Sequence, residues 1–275
     1  MISISGISFG FNLDNETLIG PIKTALGILC QRTNDTPLDF LFEVRQDDNG
    51  YHFHYKGSNL QYFKTLDDFL IALRLAISHL ICTHTPSIAW LHAGAVMIGG
   101  QALLFAGQGG SGKTTLVAYL ASNGYEYLSE DVTPLAQGNP LKIKPIPLPL
   151  SIKAGSWQAL QPYYPELERL LSYKGIRSDI KFLPLNHSPT QENYPVQSII
   201  FPNYSKDAEG RLEEVTPTDA LARVTSSDSI LTRPLTRQQL KQFLGWLEQT
   251  PAYDLHYSNL AEAKSHIDRI SALSP

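Results

Sequence analysis

The residues from 107 to 115 have the types and spacing of an anion cradle. Gly107, Gln108, Gly109, Gly110, Ser111, Gly112, Lys113 and Thr114 match G-x-x-x-x-G-K-[ST] in full, and Thr115 continues the run. Glycines reach positive φ and let the backbone approach an anion closely. Successive N–H groups then point inward as a nest for phosphate oxygens. A helix starting at Lys113 would add its unpaired N–H groups and the positive end of its dipole. In such a loop the lysine meets the outer phosphates and the Thr114 hydroxyl coordinates Mg²⁺. The chemistry expected is binding of a nucleoside triphosphate, ATP above all, and transfer of its terminal phosphoryl group.

A second constellation lies downstream. Glu130 and Asp131 close an apolar stretch that includes Tyr127 and Leu128. A carboxylate at a strand end beside a phosphate loop can orient Mg²⁺ and its water. Near a hydroxyl acceptor it can also take the proton, since a serine hydroxyl is a weak nucleophile without such help.

The elements that must position these groups can be read from pattern. Ala102 to Ala106 is an apolar strand leading into the loop, and 113–122 reads as the helix leaving it, ended by Gly124. Residues 90–98 read as one strand, and Gly99 with Gly100 forms a two-residue hairpin turn into 101–106. An antiparallel neighbour directly before the loop strand points to a mixed sheet. Upstream, 40–44 and 51–55 flank the turn signal Asp47, Asp48, Asn49, Gly50. A helix follows from Leu66, with Thr65 and Asp68 as a capping pair and Phe69, Leu70, Leu73, Ile77 and Leu80 on one face. Residues 140–150 read as extended, and 156–175 as helical around Trp157, Leu160, Leu167 and Leu171 with proline breaks. Further on, 195–204 and 252–257 read as strands, and 236–248 and 260–272 as helices.

Leu91, His92, Ala93, Gly94, Ala95 and Val96, then the loop, then Gly124 to Asp131, resemble the catalytic domain of bacterial HPr kinase/phosphorylase. They resemble still more the HPr-kinase-related proteins of peptide-modification gene clusters. The resemblance is carried by about residues 90–135 and grows diffuse beyond. It implies an α/β fold: a P-loop kinase domain with a mixed, partly antiparallel sheet over 86–275, and a small N-terminal α+β region over 1–85 able to recognise a substrate. His92, fifteen residues before Gly107, matches the family's active-site histidine. Asp131, seventeen after Thr114, matches its catalytic carboxylate, and Glu130 stands beside the metal. Arg177, with Lys181, falls in an Arg-x-x-x-Lys segment that could supply transition-state charge. The family's downstream metal-binding glutamate has no counterpart, since 149–157 contains no carboxylate. Glu130 and Asp131 then hold the metal alone or another residue substitutes, and Lys153 there could meet a phosphate. The acceptor implied is a serine of a peptide or protein. A small alcohol such as an amino acid or sugar, or a regulatory nucleotide-binding module with little turnover, are the alternatives. HPr kinases are hexamers, so homo-oligomerisation stays open.

Composition sets the outer limits. The 275 residues are 43% hydrophobic and 17% charged, with acids over bases 26 to 22 and a formal charge of -4. That balance gives no electrostatic reason to expect nucleic acid or an anionic membrane as partner. The two cysteines, Cys30 and Cys82, lack metal-ligand spacing. The start lacks the pattern of a signal peptide, and no apolar run is long enough to span a bilayer, so a cytoplasmic location is expected.

Overall fold

In the computed structural model, Gly99 and Gly100 both adopt positive φ, 59° and 81°. They join Ala93–Ile98 to Gln101–Ala106 in full antiparallel register, from Ile98 opposite Gln101 to Ala93 opposite Ala106. Positive φ at both turn positions gives the turn a twist that matches the flanking strands. The structure describes residues 1–27, 37–175, 177–185, 189–226, 230–231 and 235–272. Cys30 lies outside them.

The chain forms two units. The first comprises Met1–Ile81, Leu148–Gln161 and Pro165–Leu185; the second Cys82–Pro147, Pro162–Tyr164 and Asn186–Pro275. Two segments of the first unit thus lie beyond the 1–85 range read from the sequence.

The first unit is α+β. Its five-stranded sheet runs in chain order from Ile2–Ile4 through Ile7–Leu13, Phe40–Asp47 and Gly50–Tyr55 to Gln61–Phe63. Only the second and third strands are parallel. Phe9, Phe42, Phe53 and Phe69 are fully buried in its core, with ring centroids of Phe42 and Phe53 5.7 Å apart. The helix Leu66–His84 starts as its sequence dictates: the Asp68 amide donates to Thr65 Oγ1 at 3.1 Å. A three-stranded sheet, Leu150–Lys153, Asp179–Leu183 and Tyr173–Lys174, completes the unit. The helix expected over 156–175 is confined to Ala154–Leu160 and a 3-10 turn at Pro165–Glu168. Pro162 and Pro165 interrupt the run, Leu171 is exposed, and Tyr173 belongs to a strand.

The second unit is an α/β layer with a mixed sheet. The loop strand Gln101–Ala106 sits between the antiparallel Ala93–Ile98 and the parallel Tyr194–Tyr204. Ala102 to Ala106 are all buried, which is why the run is continuously apolar rather than alternating. Ala252–Tyr257 extends the parallel part, and Arg211–Val215 and Glu126–Ser129 add antiparallel strands at the two sides. The expected strand 90–98 is two strands, Ser87–Leu91 and Ala93–Ile98, broken at His92. The first half pairs with Thr133–Ala136 and Ile230–Leu231, so the chain changes partners at the histidine. Both halves are apolar and β-prone, and pairing partners leave no mark in the local pattern. The helix Arg237–Gln249 carries a full capping box between Thr236 and Gln239. Among the described residues, no helix is long and apolar enough to cross a membrane.

Candidate functional site

The glycine-rich loop spans the gap between the buried strand Gln101–Ala106 and the helix Lys113–Ser122. Gly107, Gly110 and Gly112 have φ of 142°, 91° and 98°. At 112 glycine is required twice over, because an added Cβ would lie 2.3 Å from the Tyr257 hydroxyl and 3.3 Å from Tyr204 Cβ. The Tyr204 amide donates to the Ser111 carbonyl at 3.3 Å, so the neighbouring parallel strands brace the far half of the loop. Burial pushes the Tyr257 hydroxyl's pKa well above the usual tyrosine range, keeping it neutral. Tyr204 and Tyr257 close the stretches 195–204 and 252–257, which the sequence pattern reads simply as strands. Their support of the loop arises from strand order, for which the local sequence has no signal.

Lys113 is 6% exposed, and its ammonium donates to the Gly107 carbonyl at 2.6 Å and to that of Gln108 at 2.9 Å. The side chain therefore folds back against the loop, whose own carbonyls hold its charge. Gln108, Gly109 and Gly110 are exposed at the loop's crest, and Ser111, Thr114 and Thr115 are half-buried.

Behind the loop, Leu116, Val117, Ala118, Tyr119 and Leu120 are consecutive buried residues, so the helix is embedded on several sides. Its close approach to the sheet depends on Gly94, where an added Cβ would lie 2.8 Å from Val117 Cγ2.

The two acidic residues have different surroundings. Glu130 is 7% exposed and accepts a hydrogen bond from Thr114 Oγ1 at 2.9 Å. Asp131 is exposed, with a φ of 62°. The Val132 amide donates to the Glu130 carbonyl at 2.7 Å, closing a three-residue turn with Asp131 at its centre. Positive φ is uncommon outside glycine, and aspartate is among the residues that tolerate it.

Strand register brings the separate motifs together. Ala93 pairs with Ala106, which puts His92 and Gly107 at the same end of the hairpin. Ala95 pairs with Ser129, so Glu130 and Asp131 emerge at that end too. Leu91, before the histidine, pairs with Thr133, just after the acidic pair. His92 is half-buried there. The loop, His92 and the pair Glu130 and Asp131 thus converge from three stretches of chain at one end of the sheet in the second unit.

The basic residues singled out downstream belong to the first unit. Arg177 is exposed. Lys181 donates to the Leu167 carbonyl at 2.6 Å and lies 4.6 Å from the Trp157 ring centroid, so its charge is engaged in packing. Lys153 is exposed and precedes the helix Ala154–Leu160 without a side-chain cap. Among the described residues, no three His, Cys, Asp or Glu side chains form a metal-holding group. Thr114 and Glu130 nevertheless offer two hard oxygens 2.9 Å apart, the donor type that suits Mg²⁺ when phosphate and water complete its shell.

No protein-family model matches this chain, and no curated protein matches it. Among solved structures, an HPr(Ser) kinase/phosphatase from Coxiella burnetii is similar over 66% of this chain and 92% of its own, at 14% identity and a TM-score of 0.30. A superposition that loose is silent on function.

Proposed function

We propose that the protein is an ATP- and Mg²⁺-dependent kinase that transfers the γ-phosphoryl group to a hydroxyl, with a serine of a peptide or protein as acceptor. The carrying observation is the loop with Lys113 folded back against it and Thr114 bonded to buried Glu130. A glycine-rich turn with no ligand would not need a buried ammonium and a hydroxyl–carboxylate pair behind it.

In this reading the loop amides and the N-terminus of the following helix bind the β and γ phosphates. Lys113 neutralises charge as the phosphoryl group leaves. Thr114 and Glu130 hold Mg²⁺, which when bound offsets phosphate charge and keeps the terminal phosphate in line. Asp131, exposed next to the buried pair, accepts the proton of the attacking hydroxyl, and His92 orients or charges that same corner. The region 1–85 is proposed to recognise the acceptor.

The test incubates the protein with ATP, Mg²⁺ and serine-containing peptides and follows phosphate by mass. Asp131→Asn should abolish transfer while nucleotide binding, measured by calorimetry, persists. Wild-type turnover in that variant removes Asp131 as the base. Transfer to an amino acid or sugar but to no peptide changes the acceptor class and keeps the chemistry. Slow ATP loss with no acceptor modified favours a regulatory nucleotide-binding module.

A further inference from the structure

We propose that Thr133 is a positioning residue that sets His92 against Asp131, an inference that rests on the phosphotransfer reading above. Thr133 is fully buried, and its hydroxyl donates to the Ala93 carbonyl at 2.9 Å. Its own backbone pairs with Leu91. One residue therefore grips the chain on both sides of His92, at the point where the strand breaks and its two halves take different partners.

On its other side, Thr133 follows the turn centred on Asp131, closed by the Val132 amide on the Glu130 carbonyl. From Asp131 to His92 the path runs through Val132, Thr133, one hydrogen bond and Ala93. Nothing longer or more flexible intervenes. A buried hydroxyl bonded to a buried carbonyl has a defined length and direction, so the backbone positions that carry the two side chains are held at a fixed separation. Ala93 also pairs with Ala106, the residue before Gly107, so the same contact ties that separation to the start of the loop. The side-chain bond sits where the strand breaks and the ladder changes partners, at His92.

The test compares Thr133→Val, which keeps shape and removes the donor, with Thr133→Ser, which keeps the donor. Thermal melting and ADP–Mg²⁺ affinity are measured beside turnover, and the His92 imidazole resonance, assigned by its loss in His92→Gln, is followed by NMR. The valine variant should bind nucleotide as the wild type does and lose about tenfold to a hundredfold in kcat, as a displaced catalytic group does. Its His92 resonance should shift, and serine should restore both readouts. Wild-type kcat with an unmoved His92 resonance overturns the proposal. So does a loss of kcat that serine does not recover. If the wild type phosphorylates no acceptor, the phosphotransfer reading fails by itself, and the resonance alone decides the role of Thr133. Should the valine variant not fold, Thr133→Cys, a poor donor of similar volume, replaces it with the same expected shift.

Discussion

Thr114 Oγ1 donates to Glu130 Oε1 at 2.9 Å, tying the first turn of the loop helix to the end of the strand Glu126–Ser129. The bond joins residues sixteen apart in sequence and sets a buried carboxylate against the helix that follows the glycine-rich loop. Asp131, one residue on, is exposed and in a left-handed conformation. Adjacent acids therefore stand in unlike settings, one buried on a hydroxyl and one exposed to solvent.

Removing the charge but not the shape at 130 separates metal binding from folding. Glu130→Gln should keep an acceptor for Thr114 and leave the melting temperature near that of the wild type. Calorimetry should show ADP binding weakened chiefly in the presence of Mg²⁺. Equal affinity with and without the ion in both proteins would remove Glu130 from the metal site.

Lys113→Ala should cost both binding and stability. The Gly107 and Gln108 carbonyls lose a charged donor, and hydrogen bonds to a charged group are each worth about 1.5–3 kcal/mol. Urea melts measure that loss. Nucleotide affinity should fall far more than the melts alone account for, since the same ammonium is proposed to meet phosphate.

At Asp131 the proposed chemistry and a strained backbone position can be tested together. With φ at 62°, Asp131→Val should destabilise the fold by about 1–2 kcal/mol, the left-handed penalty of a side chain with a stiff Cβ. Asp131→Gly should show no such loss, and both should lack phosphotransfer. A glycine variant that melts with the valine variant would show that the turn is not what separates them.

Gly94→Ala tests how closely the loop helix must approach the sheet. The new methyl meets Val117 Cγ2 at 2.8 Å in a buried region, and overpacking of that kind costs about 1–3 kcal/mol. The double variant with Val117→Ala should recover part of the loss, by chemical denaturation. An alanine at 94 with wild-type stability and nucleotide affinity would mean that the helix has room to move.

Burial pushes the Cys82 thiol up to about 12, so it stays protonated and inert near neutral pH. Peptide mapping after alkylation should find position 82 unmodified in the native protein and modified after unfolding. Rapid native labelling would show that the helix Leu66–His84 opens there.

Local rules account for what could be read directly. Gly99 and Gly100 specify their turn because only positive φ matches the strand twist. Thr236 with Gln239, and Thr65 with Asp68, mark helix starts because their side chains take the amides a first turn leaves unpaired. The motif from Gly107 to Thr114 announces its loop because a close backbone approach and a lysine are needed within a few residues of each other.

The break at His92 and the contact of Tyr257 with Gly112 had no such local cause. Both depend on which strand lies beside which: Tyr194–Tyr204 beside the loop strand, and Thr133–Ala136 beside Ser87–Leu91. Strand neighbours are chosen by burial over the whole sheet, and an apolar β-run reads alike whichever neighbour it takes. The same cause divides Glu130 from Asp131. By itself the sequence determined the loop, its strand, its helix and the presence of two acids after it. Only the tertiary structure decided which acid the Thr114 hydroxyl meets, because that meeting depends on long-range pairing that no local pattern encodes.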